Sequence, residues 1–197
     1  MKRLALLLAA IFCFPLAARA AGSSTYLGAG LADGLLSSCL SSLSECSNYS
    51  SSAREPYHLR IVGGYDLNPY FGIEGEYANL GKYDVQNYLG NIVGTVRATA
   101  ITFALRGTYR FSSSSSAFGK LGISSVKTDY APQPPYSWPV PGASNSQRSS
   151  GVVYGIGLQY DFNQRAGIRV SLEAISFRDD IYKGSVAGTN LLAIFRL

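Results

Sequence analysis

Eight stretches of this chain alternate apolar and polar side chains with a period of two residues, and this pattern constrains the fold more than any other feature. Such alternation predicts β-strands, because successive side chains of a strand point to opposite faces of the sheet. The predicted strands are about residues 25–33, 57–67, 70–81, 98–111, 117–128, 151–162, 167–179 and 189–197. The chain is therefore predicted to be all-β.

The connections between the predicted strands alternate between short and long. Asn68-Pro69, residues 112–116 and residues 163–166 are short and have the composition of tight turns. The other four are long and polar, at residues 34–56, 82–97, 129–150 and 180–188. Five prolines in residues 129–150 predict that this connection has no regular structure. An even number of strands with short turns at one end and long loops at the other is typical of an outer-membrane barrel.

Residues 70–81, YFGIEGEYANLG, raise the question of which strand face meets water. Tyr70, Glu74 and Glu76 share one face, and Phe71 and Ile73 share the other. In a soluble sheet the apolar face is the core, whereas in a membrane barrel it meets lipid and the polar face points inward. Three features favour the barrel: aromatic residues near strand ends, glycines beside large charges on the polar face, and an export signal.

The polar faces of the predicted strands carry charges of both signs. They are Glu74, Glu76, Glu173, Arg60, Arg106, Lys120 and Arg169. Inside an eight-stranded barrel each of these charges would be taken out of water, and a buried charge without a partner is costly. We therefore predict a network of ion pairs that fills the interior rather than a channel through it. The alternative is that these charges only solvate one face of a soluble sheet.

The first 20 residues have the three parts of a secretory signal: a basic start, an apolar run that ends at Phe14, and Ala18-Arg19-Ala20 before the cleavage site. We expect a cleaved signal at residues 1–20 and a single barrel domain at residues 21–197. Removal of the signal lowers the formal net charge from +5 to +2, because three of the cations belong to it. The remaining charge gives no reason to expect nucleic acid as a partner.

Two cysteines remain in the mature chain, Cys39 and Cys46, in a Ser-rich stretch. In an oxidising compartment they can form a small disulfide loop, and two free thiols are the alternative. No His or second Cys pair lies nearby, so zinc is not expected. We predict no metal and no cofactor.

Residues 63–77, GGYDLNPYFGIEGEY, resemble the pattern G-Y-x-x-N-P-Y-x-G-x-E of the OmpA-like eight-stranded outer-membrane barrels. GLQYDF at 157–162 and IRVSLE at 168–173 are similar to further segments of that family. The resemblance implies an eight-stranded antiparallel transmembrane β-barrel with short periplasmic turns and four long extracellular loops. It also implies a gate-like network of salt bridges, whose matching positions here are Glu74, Arg106, Lys120 and Arg169.

The chain departs from the family pattern at two places. Gln159 stands where the family has a glutamate, so Glu76 or Glu173 would have to compensate. The last residue is Leu197 rather than an aromatic residue, although the alternation that the barrel-assembly machinery reads is kept. Because the chain stops there, it resembles the barrel-only members of the family, which have no periplasmic peptidoglycan-binding domain.

The resemblance implies a location in the bacterial outer membrane and a structural or surface role: envelope integrity, adhesion or host interaction through the loops. The expected partners are outer-membrane lipid and lipopolysaccharide, the assembly machinery during insertion, and a host or cell-surface ligand. A small gated pore is the first alternative, and a soluble periplasmic β-barrel or sandwich that binds a ligand is another.

A lipid A-modifying enzyme is a further alternative, because some small outer-membrane barrels have that activity. Such chemistry usually needs a histidine as general base beside a serine or aspartate. The single histidine, His58, lacks the His-x-Ser arrangement of the deacylases. We expect no enzymatic activity.

Overall fold

The computed structural model of the chain describes residues 24–33, 35–40, 51–53, 57–86, 91–132, 146–178 and 182–197. The predicted signal at residues 1–20 and Cys46 lie outside the described residues, as does the side chain of Cys39. Among the described residues, no helix is long and apolar enough to cross a membrane.

The described residues form ten strand segments. They are β1 (Ser24–Ala32), β2 (Leu35–Leu40), β3 (Ser51–Ala53), β4 (His58–Asp66), β5 (Phe71–Gln86), β6 (Ile92–Arg110), β7 (Ser115–Pro132), β8 (Ser146–Asp161), β9 (Ala166–Arg178) and β10 (Tyr182–Arg196). β1 and β2 both pair with β10, and β3 and β4 both pair with β5. β2 therefore extends β1, β3 extends β4, and the ten segments make up the eight predicted strands.

The sheet closes on itself. Antiparallel pairing runs through β1, β4, β5, β6, β7, β8, β9 and β10, and β10 pairs again with β1. At the seam Tyr26 lies opposite Arg196, and Ala32 lies opposite Asn190. Closure gives both end strands a partner, as a sheet in hydrocarbon requires, because an unpaired edge there is too costly. The prediction of a closed, eight-stranded antiparallel barrel is confirmed.

The three short connections share one design. In each, a backbone N–H donates to the carbonyl four residues ahead: Leu67 to Phe71 at 2.9 Å, Phe111 to Ser115 at 3.2 Å and Phe162 to Ala166 at 2.9 Å. The next side chain then caps the turn by accepting from two backbone N–H groups. These capping residues are Asn68, Ser112 and Asn163. Short polar side chains at this position are typical of tight turns, as the sequence predicts.

The strands are longer than predicted at the opposite end. β5 continues to Gln86, β6 begins at Ile92, and β7 reaches Pro132. The expectation that residues 82–97 and 129–150 are long connections, the second without regular structure, is therefore wrong at their edges. β2, β3 and the start of β10 lie in the other two predicted connections. Cross-strand pairing overrides local composition here. Pro132, the last residue of β7, sits where a missing N–H costs little.

The outward faces are apolar, as predicted. Ile101, Phe103 and Leu158 expose 65%, 54% and 60% of their surface on the outside of the barrel. Near the short turns the outer face is aromatic, with Tyr160 and Phe162 in edge-to-face contact at 5.5 Å. Such a girdle suits the boundary between lipid and water. Tyr70 departs from the predicted face assignment. It was expected to share the inward face with Glu74, but it lies in the exposed turn before β5.

Toward the long loops the interior is apolar. A cluster of apolar side chains fills most of it, and its members include Ala78, Leu80, Ala98, Ala100, Val126, Val153, Ile175, Phe177 and Val186. All of these are at most 5% exposed. This apolar layer separates the mouth of the barrel from the charged half of the interior, which begins next to Glu76 and Glu173 on β5 and β9.

Candidate functional site in the barrel interior

Every predicted site charge lies on an inward face and is buried. Glu74, Glu76, Arg106, Lys120, Arg169 and Glu173 are between 1% and 6% exposed, and Arg60 is 5% exposed. They come from five strands, β4, β5, β6, β7 and β9, and converge in the half of the interior nearest the short turns. The structure arranges them in two layers.

The layer nearest the short turns is built around Glu74. Its Oε1 lies 2.7 Å from Nη1 of Arg169 and 3.3 Å from Nη1 of Arg106. The hydroxyl of Tyr26 also donates to the same oxygen. One carboxylate oxygen therefore receives two guanidinium groups and a phenol, and the shorter ion pair is the one with Arg169.

Arg106 also pairs with Asp66, a residue that the sequence analysis does not include in the network. Asp66 ends β4, and Ser24 Oγ donates to its second oxygen at 2.9 Å. The residue falls on a predicted strand end beside the Asn68 turn, where an aspartate is usually explained by the turn itself. The register, in which Asp66 lies opposite Gly72 and Gly72 opposite Arg106, makes the contact possible.

Gln159 takes the place of the family glutamate by hydrogen bonding instead of ion pairing. Its Oε1 accepts from Nε and Nη2 of Arg169 at 3.1 Å and 2.9 Å. Its Nε2 donates to Asp161 at 2.9 Å, and Asp161 pairs with Arg196 at 3.0 Å. The amide therefore orients the Arg169 guanidinium and leaves its charge to be balanced by Glu74.

The second layer is a square of two cations and two carboxylates. Lys120 Nζ lies 2.7 Å from Glu76 Oε2 and 2.8 Å from Glu173 Oε1. Arg60 Nη1 lies 2.6 Å from Glu76 Oε1 and also contacts Glu173. Ser171 supports Glu173 with a hydrogen bond of 2.9 Å. Glu76 and Glu173, which were expected to compensate for Gln159, belong to this layer, whereas Arg169 beside Gln159 pairs with Glu74.

The two layers together are balanced in formal charge. Four cations face four carboxylates: Arg60, Arg106, Lys120 and Arg169, with Asp66, Glu74, Glu76 and Glu173. Each cation contacts two acidic groups or, for Arg169, one acidic group and one amide. Burial of charge is tolerable only with such pairing, since breaking one pair leaves an uncompensated charge in a dry interior.

Two aromatic rings hold the arginines in place, and the sequence analysis does not predict either ring. The Arg106 and Arg169 guanidinium carbons lie 4.9 Å and 5.3 Å from the centroid of Tyr26, and Arg169 lies 4.8 Å from that of Phe118. In the register Tyr26 lies opposite Gly64, and Phe118 lies opposite Gly157. Glycines on the inward face are the sequence signal that could have located these rings, because a large side chain needs a small neighbour in a narrow barrel.

A polar cavity of about 140 Å³ opens at the short-turn end and stops at the first layer. Its lining includes Asp66, Arg106, Arg110, Gln159 and Arg196. The cavity therefore leads to the ion-pair network, whose members are at most 6% exposed apart from Asp66.

His58 lies at the other end of the interior, on the inward face of β4, and is 3% exposed. Its ring packs against Gly81, where an added Cβ would lie 2.4 Å from the ring. Gly81 has a φ of 103° and lies at an irregularity in the pairing of β5 with β6. The part of the chain that the structure describes contains no group of three His, Cys, Asp or Glu residues arranged to hold a metal ion.

The model of one protein family, described as outer membrane protein beta-barrel domain, matches residues 4–195. No curated protein sequence matches the chain.

Solved structures of several outer-membrane barrels share the fold. The chain is similar to Ail, the attachment invasion locus protein of Yersinia pestis, whose structure was solved in complex with the heparin analogue sucrose octasulfate. The identity is 18% and the TM-score is 0.54, and the match covers 88% of this chain and 99% of Ail. It is similar to OprG of Pseudomonas aeruginosa with 15% identity, a TM-score of 0.59, and coverage of 89% and 96%. It is similar to Neisserial surface protein A with 12% identity, a TM-score of 0.61, and coverage of 89% and 99%.

Proposed function

This chain belongs to the outer membrane protein beta-barrel domain family, and on that premise we propose that it is a non-conducting anchor that displays its long loops at the cell surface. The observation that carries the proposal is the filled interior, in which a balanced network of four cations and four carboxylates lies below an apolar layer. The role of such an anchor is envelope integrity, adhesion or host interaction.

The size of the barrel supports a closed interior. Eight strands leave a space just wide enough for side chains. An ion entering from the short-turn end meets Arg106 and Glu74, which are already paired with each other and with further partners. An ion entering from the loop end meets Val126 and Val153, which are fully buried in the apolar layer. The charged network and the apolar layer both oppose the passage of a hydrated ion, since the network is already paired and the apolar layer is lined mainly by apolar side chains.

The long strands support a role for the loops. β6, β7 and β8 contain 19, 18 and 16 residues, whereas a tilted strand needs about 9–11 to cross a bilayer. The surplus lies at the long-loop end and forms a rigid extension of the barrel. Loops on a rigid scaffold are the usual place for recognition. The Ail structure contains a sulfated ligand, which makes adhesion one form of the proposed role.

Conductance in planar bilayers tests the proposal. The folded protein should give no sustained openings. A double variant, Lys120→Ala with Glu173→Ala, removes one cation and one carboxylate and keeps the charge balance, so it should raise the conductance if this layer helps to block the lumen. Ile123→Ala, on the lipid-facing side of β7, is the control. Frequent large openings of the unmodified protein would contradict the anchor and favour the gated pore.

We propose further that the chain does not catalyse lipid A modification. His58 is buried on the inward face of β4 with its ring against Gly81, so the ring does not reach the lipid-facing surface of the barrel. Mass spectrometry of lipid A from cells with the wild-type protein and with His58→Asn should give the same species. A modification that depends on His58 would overturn this part of the proposal.

A further inference from the structure

Four cations lie on the outer face of the barrel at its long-loop end. They are Lys82, Arg97, Lys127 and Arg148, on the adjacent strands β5, β6, β7 and β8. Arg97 lies on the same face as lipid-exposed Ile101, Lys127 on the same face as Ile123, and Arg148 on the same face as Val152. Lys82 lies directly opposite Arg97. We call these four residues the basic belt.

The basic belt begins directly above the apolar surface that faces lipid. Between the belt and that surface lies a row of outward hydroxyl residues, Thr99, Ser125 and Ser150. On β6, β7 and β8 the outer surface therefore changes from apolar to hydroxyl to cationic within four residues of the strand. In a membrane the cations fall at the depth of the headgroups in the leaflet on the loop side.

The register places the cations against one another. Lys82 is paired directly with Arg97, and Lys127 is paired directly with Arg148. Like charges directly opposite one another in a sheet are destabilising. Asp129 offsets part of this repulsion, since it lies opposite Arg97 and its Oδ1 is 2.7 Å from Lys127 Nζ. Asp84, two residues beyond Lys82 on β5, is a second carboxylate on this face. Four cations and two carboxylates leave a formal charge of +2, in contrast to the balanced interior.

We propose that the basic belt binds the phosphate groups of the glycolipid in the outer leaflet. Adjacent strands are about 4.8 Å apart, so four neighbouring strands present their cations across roughly 14 Å. An anionic headgroup that bridges the two cation pairs would relieve the cross-strand repulsion, while its acyl chains would lie along the apolar surface below. This inference rests on the proposed surface orientation of the loops, and it names the lipid that the barrel contacts there.

The test uses folded full-length protein in a neutral detergent, titrated with bisphosphorylated lipid A and followed by native mass spectrometry. Arg97→Gln with Arg148→Gln removes one cation from each pair and should raise the apparent dissociation constant roughly 30-fold, since each cation near an anionic surface contributes about fivefold. Lipid A without its phosphates should bind the wild-type protein as weakly as phosphorylated lipid A binds the double variant. Added salt should weaken the binding of phosphorylated lipid A only.

The matched control is Arg110→Gln with Arg165→Gln, which removes the same charge from exposed positions at the short-turn end. It should leave lipid A binding unchanged. Equal loss in both double variants, or no loss in either, would overturn the proposal. So would a result in which Arg97→Gln with Arg148→Gln weakens binding of heparin but not of lipid A, because the belt would then recognise a soluble sulfated glycan.

Heat-modifiable mobility on gels confirms that each variant is folded before it is titrated. Failure of the wild-type protein to fold into vesicles would contradict the membrane anchor itself. A folded barrel whose belt variants bind lipid A normally would contradict only the basic belt. The two outcomes are therefore separate.

Discussion

Phe118 lies directly across from Gly157 inside the barrel, and a Cβ added at Gly157 would lie 2.6 Å from the Phe118 ring. The same added Cβ would lie 2.4 Å from the backbone oxygen of Val170. The ring therefore occupies the space that the glycine leaves, and its other side holds the Arg169 guanidinium at 4.8 Å. A glycine on β8 thus determines where an arginine of β9 is held.

Gly157→Ala should destabilise the barrel because the added methyl group displaces either the Phe118 ring or the β9 backbone. Overpacking of this kind usually costs about 1–3 kcal/mol of unfolding free energy. Gly75→Ala is the control, since nothing lies within 4 Å of a Cβ added there. Equilibrium unfolding in urea, with the protein in lipid vesicles, measures both. Equal stability of the two variants would show that the ring is free to move.

Lys120→Met should be strongly destabilising because it leaves Glu76 and Glu173 with Arg60 as their shared cation. Breaking a buried pair typically costs about 3–5 kcal/mol. Lys127→Met is the matched control seven residues along the same strand, where the pair with Asp129 is 43% and 40% exposed. An exposed pair contributes about 0–1 kcal/mol. The free energies of unfolding should therefore differ clearly between the two variants, and equal values would contradict a dry interior.

Tyr26→Phe should destabilise the layer around Glu74 while keeping the aromatic ring in place. The variant keeps the ring over which Arg106 and Arg169 lie, but it removes the hydroxyl that donates to Glu74. A hydrogen bond to a charged group is worth about 1.5–3 kcal/mol. Tyr154→Phe, on the lipid-facing side with 53% of the residue exposed, should change the free energy of unfolding little. A comparable loss from both variants would mean that the hydroxyl–carboxylate contact does not stabilise the fold.

Ser112→Ala should destabilise the turn between β6 and β7, because the Ser112 hydroxyl accepts from the N–H groups of Ser114 and Ser115 at 3.2 Å and 2.9 Å. Loss of such a side-chain cap is worth roughly 1 kcal/mol. The neighbouring Ser113 is exposed and provides the control as Ser113→Ala. The free energy of unfolding should fall more for Ser112→Ala than for Ser113→Ala. A larger loss for Ser113→Ala would contradict the proposed cap.

Much of the fold follows from the sequence because lipid imposes a simple rule on each strand. Ile101 and Phe103 face outward and Glu74 and Arg106 face inward because side chains alternate along a strand. The short turns follow from Asn68 and Asn163 for an equally local reason. The strand ends do not follow, because β7 continues to Pro132 through its pairing with β6 rather than through its composition.

The interior was harder to predict because contacts across the lumen depend on register. The sequence indicates that Glu74 points inward, but not that Tyr26, 48 residues earlier, reaches it. Asp66 joins the network only because β4, β5 and β6 are staggered so that it meets Arg106. Strand order and stagger together fix such neighbours, and neither can be read from one strand alone.

The seam between β1 and β10 has a consequence for how the chain is connected. Leu197 N donates to Thr25 O at 2.9 Å, so the two ends of the described barrel meet beside the three short turns. A linker the length of those turns would join Leu197 to Ser24, and the chain could be reopened at Asn68, Ser112 or Asn163. The wall of the barrel is then a continuous ring of hairpins, in which any hairpin can come first in a circularly permuted chain.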